Sequence, residues 1–188
     1  MCIRDSNYTV SLSANKTTLE KPFTILKNPV SENSLADMKL QFDFINDINT
    51  KMSEIHKALI NVGNLKAQIK TLKSSIKDKV KHKELLSFAD ELTKKITKIE
   101  TTLYQTKSKS GQDPLNFPIR LNNKLAHLNS LTRMGTYKPT DQAIAFKNEI
   151  TKDIDTELSK LYVLFNNDVK QLNQKVKDSQ IDLIQLDK

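Results

Sequence analysis

Glu149 and Asp153 stand four residues apart, a spacing that puts two carboxylates one turn apart on a helix face. Paired carboxylates are what acid–base hydrolysis of a glycoside requires. Lys147 and Lys152 sit beside them, however, and acids interleaved with lysines at helical spacing make a solvated, salt-bridged surface rather than a desolvated acid pair. His56, His82 and His127 fall in three separate helical contexts, with no cysteine or second histidine at ligand spacing, so they are read as surface or boundary histidines. The chain has no Gly-rich phosphate loop, no His-Glu-x-x-His and no cysteine pair. The expectation is therefore no catalytic residue, no metal and no cofactor.

The other stretch rich in polar chemistry is KSGQDPLNFPIRLNNKL, residues 109–125. Gly111 permits a positive φ, Asp113-Pro114 starts a turn, Asn116 is suited to bonding nearby backbone, and Pro118 fits the first position of a following helix. Arg120, Asn122 and Asn123 then project from that helix. Together with Gln112, these residues either hold a long loop by hydrogen bonds or line a ligand groove. Nothing nucleophilic or acid–base active accompanies them, which favours the loop.

Thirty Lys and Arg against 22 Asp and Glu give a net charge of +8, but only Arg4, Arg120 and Arg133 are arginines. Sites that read phosphate prefer the bidentate guanidinium, and no aromatic residues interleave with the lysines to stack on bases, so nucleic acid is not an expected partner. Lys66, Lys70, Lys73 and Lys77 form a basic stripe beside an apolar one, a geometry suited to an anionic surface or acidic partner.

The elements that carry these residues follow from periodicity. Residues 7–27 alternate apolar and polar around SANKTT, which predicts a β-hairpin, with Pro22 suited to an edge strand. From Ser34, with Asp37 as its capping partner, the period becomes helical: Leu35, Met38, Phe42, Ile45, Ile48, Met52, Ile55, Leu59, Val62, Leu65, Ile69, Leu72, Ile76 and Val80. Gly63 sits inside that stripe without ending it. A second stripe, Leu85 to Leu103, folds back as the partner of a helical hairpin. A shorter helix carries Leu121, Leu125, Leu128 and Leu131, and Gly135 stops it. Thr140 caps a last helix running to Val176. Three Gly, five Pro and no Trp leave little room for a large all-β fold, and no apolar run is long enough to span a bilayer.

The opening MCIRDS looks like translated sequencing-adapter read-through at the edge of a short contig, which predicts that Met1 is not the natural start. On that reading neither Cys2 nor the missing signal peptide reports on compartment.

KSGQDPLNFPIRLNNKL closely resembles the C-terminal helical region of large secreted bacterial proteins with BNR or sortilin-type β-propellers, often labelled glycosyl hydrolases. NYTVSLSANKTTLEKPFTILKNP (7–29) is similar to the strand pair and linker preceding that region, with Asn28-Pro29 in place of Asp-Pro. QFDFINDINTKMSEIHKALINVGNLKAQI (41–69) is similar to its first long helix. The resemblance thus covers residues 7–176. It implies a secreted, periplasmic or cell-surface protein whose upstream β-propeller and β-domain would be this region's partners, with a second copy as a further one. Asp boxes of the form Ser-x-Asp-x-Gly-x-Thr-Trp are absent from a chain without Trp, so any sugar binding or hydrolysis implied by the family belongs upstream.

The expected architecture is mainly α: an antiparallel bundle of long helices preceded by a β-hairpin that forms the edge of a truncated β-sandwich-like domain. Its divisions are 1–6 (adapter-derived), 7–29 (terminal strands), 31–176 (helical bundle) and 177–188 (tail). The expected role is a non-catalytic structural module. The reading from another class is a free-standing coiled-coil adaptor that binds acidic partners through the lysine stripe.

Overall fold

The computed structural model describes residues 6–181. Two antiparallel strands, β1 (Ser6–Ala14) and β2 (Thr17–Ile25), precede five helices: α1 (Leu35–Ser75), α2 (Lys83–Leu103), α3 (Leu121–Thr132), α4 (Asp141–Asn166) and α5 (Asp168–Asp178). The adapter reading of residues 1–6 lies outside the described residues, apart from Ser6, which pairs with Ile25.

The hairpin turns at Asn15 and Lys16, both at positive φ (49° and 66°), as a two-residue turn matched to strand twist requires. Counting from that turn, Thr9 and Pro22 form a non-hydrogen-bonded pair. The missing N–H of Pro22 therefore costs the ladder nothing and falls on the outer edge of β2. One face carries Tyr8, Val10, Leu12, Leu19, Phe23 and Ile25 with Lys21 among them, and the other Asn7, Thr9, Ser11, Ser13, Thr18, Glu20, Pro22 and Thr24. The Tyr8 and Phe23 rings stack at 5.7 Å. No helix packs on either face, and the apolar residues stay exposed.

In the helices, pairs of charged and amide side chains give each direction. Lys66 pairs with Glu100 and Lys73 with Asp90, so α2 runs antiparallel to the second half of α1. Asn129 donates to Asn49 at 2.9 Å and Gln41 donates to the carbonyl of Thr132 at 2.8 Å, so α3 runs antiparallel to the first half. Lys147 reaches Asp47 at 2.8 Å and Lys51 reaches Asp155 at 2.6 Å, so α4 runs parallel to α1. Lys95 meets Asp168 at 2.9 Å, which lays α5 along α2. The bundle thus has three columns: α1 alone, α2 followed by α3, and α4 followed by α5. The single last helix expected from the sequence is divided at Asn167, whose φ of −109° is wider than the usual helical value while hydrogen bonding continues on both sides.

The core seam of α1 repeats every seven residues: Gln41, Ile48, Ile55, Val62, Ile69 and Ile76 are all buried, with Phe44 and Ala58 beside them. On α2, Leu85, Leu92 and Ile99 alternate with Ala89, Ile96 and Leu103, all buried. These are coiled-coil spacings, in which side chains of one helix enter gaps in the next. Ile150, Ile154, Leu158, Leu161 and Leu172 complete the core from the third column.

The ends of the apolar stripes differ from expectation. Leu35, Phe42 and Val80 are exposed, because α1 enters on the face of Gln41 and Phe44 and ends at Ser75. Leu131 and Phe146 also face out, while Asn122 and Leu158 lie inside. Ser34 and Asp37 form the expected capping box at 3.0 and 3.1 Å, Thr140 accepts from the Ala143 amide at 3.1 Å, and Gly135 takes a positive φ of 83°. Past Val176, α5 continues to Asp178 and Ile181 packs against the core, so the bundle reaches into the expected tail, of which residues 182–188 lie outside the described residues.

Candidate functional site

The loop singled out in the sequence joins the two helices of the middle column at mid-height. Gln105, buried at the end of α2, donates through Nε2 to the Pro118 carbonyl at 2.8 Å and accepts from the Lys107 amide at 3.2 Å, closing the mouth of the loop. Within it, Asp113 accepts from the amides of Lys109 and Ser110, the latter at 2.8 Å, and from the Ser110 hydroxyl at 2.9 Å. These bonds, led by that from the Lys109 amide, hold the Asp113 carboxyl below the usual carboxylate range. Asp113, Pro114 and Leu115 form a single 3-10 turn. Lys107 lies over the Phe117 ring, 5.8 Å from its centroid.

Two expectations about this loop are corrected. Gly111 does not take a positive φ, because a 3-10 turn flanked by right-handed backbone at Gln112 and Asn116 needs no left-handed residue. Pro118 does not begin α3, which starts at Leu121. Its carbonyl is instead the acceptor for Gln105. Gly111, Gln112, Pro114, Asn116 and Pro118 are exposed. Asn123 accepts from the Arg120 amide at 3.3 Å, a backbone-holding role. Asn122 is buried with its Oδ1 unpartnered, as is Nε of Arg120. The loop residues therefore act chiefly on one another. Gln105 escaped the sequence reading because a polar residue at the end of a helix looks like surface.

A separate cleft of about 770 Å³ opens at the far end of α3, between the linker after the hairpin, the start of α1 and the α3–α4 turn. Asn28, Asn33, Gln41, Asn46 and Asn49 give it amides, and Phe42 and Tyr137 give it aromatic surface. Gln41 donates to the carbonyls of Thr132 and Gly135, at 2.8 and 2.9 Å. Asn33 donates to the Thr136 hydroxyl at 2.8 Å, tying the linker to the turn. Its carboxylate is Glu32, with neither histidine nor cysteine beside it. Lys27 and Arg133 add positive charge, and such a lining can hold a polar molecule by hydrogen bonds and ring contact. None of the loop residues 106–118 lines it.

Glu149 and Asp153 lie on the solvated face of α4. His56 and His127 are exposed and His82 half-buried, and among the described residues no cluster of His, Cys, Asp and Glu is arranged to hold a metal. In the lysine stripe, Lys66 and Lys73 are engaged by Glu100 and Asp90 of α2, which leaves Lys70 and Lys77 facing solvent. Lys51 sits on the core seam between Glu54 and Asp155, each at 2.6 Å. Burial pulls its ammonium down, but the two carboxylates outweigh that and hold its pKa above the ordinary lysine value.

No family model, curated protein or solved structure matches the chain.

Proposed function

We propose that residues 7–181 form a non-catalytic structural module at the C-terminal side of a larger secreted, periplasmic or cell-surface protein of the BNR or sortilin-like propeller type. The observation that carries the reading is the hairpin. It has one largely apolar face, interrupted by Lys21, and one largely polar face, its apolar residues are exposed, and no helix approaches it. A lone two-stranded ribbon is marginal in water, so an apolar face of this kind needs a covering layer. Pro22 hinders pairing at the outer edge of β2, which leaves β1 as the edge through which a sheet would continue. The resemblance of residues 7–29 and 109–125 to the propeller family points the same way. The helices would then brace that β-layer, and recognition or hydrolysis, if the complete protein performs either, would reside upstream. Among the described residues no helix is long and apolar enough to cross a membrane.

The deciding experiment is a long-read sequence of the locus upstream of the codon for Asn7. The reading expects an open frame that runs back through Asp-box blades to a signal peptide. A genuine start codon immediately before Asn7 would overturn it and leave the adaptor reading to be tested.

A further inference from the structure

The two ends of the bundle differ in chemistry. At the hairpin end, exposed apolar residues surround the cleft. The opposite end lies at the far end of α1, whose 41 residues put it about 60 Å away. There the link between α1 and α2 reads Lys77-Asp78-Lys79-Val80-Lys81-His82-Lys83. All four lysines are exposed, and none has an acidic partner within ion-pair distance among the described residues. Asp78 accepts from the amides of Val80 and Lys81 at 3.1 and 2.9 Å. That turn fixes the crown of the link and leaves Val80 86% exposed. Lys175 lies over the Phe88 ring, so the end of α5 adds Lys175 and Lys177 to the same region. Six lysines thus gather at this end against Asp78, Glu84 and Asp178.

We propose that this tip docks on an anionic lipid bilayer, with the lysines at the headgroups and Val80 entering the interface. Three features select a bilayer over a polyanion in solution. The crown is an exposed apolar side chain between lysines, the arrangement by which a surface segment enters a headgroup layer. The cations are all lysines, which act as point charges in a diffuse anionic field and do not make the bidentate contacts that fix a discrete phosphate. No tyrosine or tryptophan is present in the link to stack on bases. This surface shares only Lys77 with the stripe seen in the sequence, half of which is consumed between α1 and α2.

The test is co-sedimentation of the full chain with vesicles of phosphatidylcholine alone and of phosphatidylcholine mixed with phosphatidylglycerol. Binding is expected only to the mixed vesicles, and it should fall as salt is added. Replacing Lys79→Gln and Lys81→Gln together should weaken it by about fivefold per lysine, or about 25-fold for the pair. Val80→Ser should weaken it a few-fold, whereas the equally charge-reducing pair Lys57→Gln and Lys98→Gln, on exposed mid-helix positions, should leave it within about twofold of the parent. Circular dichroism of each variant establishes that the bundle is intact. Failure to bind anionic vesicles, equal binding to neutral ones, an equal loss in the mid-helix pair, or binding to soluble polyphosphate as tight as to vesicles and indifferent to Val80→Ser would each overturn the proposal. None of these outcomes depends on whether a propeller lies upstream.

Discussion

Gln41 and Gly135 are joined across 94 residues of chain: the Gln41 side chain, on the core seam of α1, donates to the Gly135 carbonyl at 2.9 Å and to that of Thr132 at 2.8 Å. The last carbonyls of a helix lack partners within it, and Gly135 at φ 83° turns the chain so that one amide reaches both acceptors. Gln41→Leu would fit the apolar spacing better, yet it leaves both carbonyls unpaired beside the core. We expect it to destabilise by about 1–3 kcal/mol, read as a lower denaturant midpoint. A variant as stable as the parent would mean that water replaces the amide.

The sevenfold seam sets a second expectation. Ile55→Ala and Leu92→Ala should each cost about 2–5 kcal/mol in chemical denaturation, because both side chains are fully enclosed. Leu35→Ala, on the same apolar stripe by sequence but 55% exposed, should change stability by less than about 0.5 kcal/mol.

The loop at mid-height should respond to acid before the helices do. Asp113 has its folded pKa lowered by its bonds to Lys109 and Ser110, so its contribution is present above the ordinary aspartate value and is lost as pH falls through the lowered one. Amide exchange at Lys109 and Ser110, corrected for intrinsic pH dependence, should accelerate across that acidic window. Asp113→Asn should show fast exchange at neutral pH and no further acceleration in that window.

Lys51 supplies the opposite sign. Its pKa is raised in the fold, so its stabilisation is complete below the ordinary lysine value and disappears as pH rises through the raised one. Thermal unfolding from neutral to strongly alkaline pH should show a decline at the alkaline end that Lys51→Met reduces. An unchanged alkaline decline in that variant would assign the effect to other lysines.

The hairpin should be separable. Removal of residues 1–25 should leave the melting temperature of the bundle unchanged, since neither strand touches a helix. The cut spares Ser31 and Asn33, whose side chains reach Thr136. A marked fall in melting temperature would show that the hairpin braces the bundle.

Local rules made much of this fold legible. The caps at Ser34 and Thr140, the stop at Gly135 and the switch from a period of two to a helical period each rest on a few adjacent residues, and each appears where those residues place it. The core face at the start of α1 was not legible, because Gln41 counts as surface in any hydropathy pattern and is buried only through carbonyls that arrive from α3. Gln105 was hidden for the same reason: its acceptor, Pro118, lies at the far end of the loop it closes. The three-column arrangement depends on pairs such as Lys51 with Asp155, 104 residues apart, which no local window contains. The cleft was equally invisible, since three segments separated in sequence build it.

Two junctions in the bundle differ in what they would tolerate from an engineer or from evolution. Between α2 and α3 the chain leaves the column and returns to it, and Gln105 and Pro118 fasten the exit to the entrance. Residues added inside that excursion cost only about 0.6 kcal/mol per doubling of its length, so a tag or a whole domain inserted near Gly111 would hang outside the coil. At Asn167 the chain never leaves its column. One residue added there would turn α5 by about 100° and carry Leu172 out of the core. The middle column has a port, and the third has a fixed gauge.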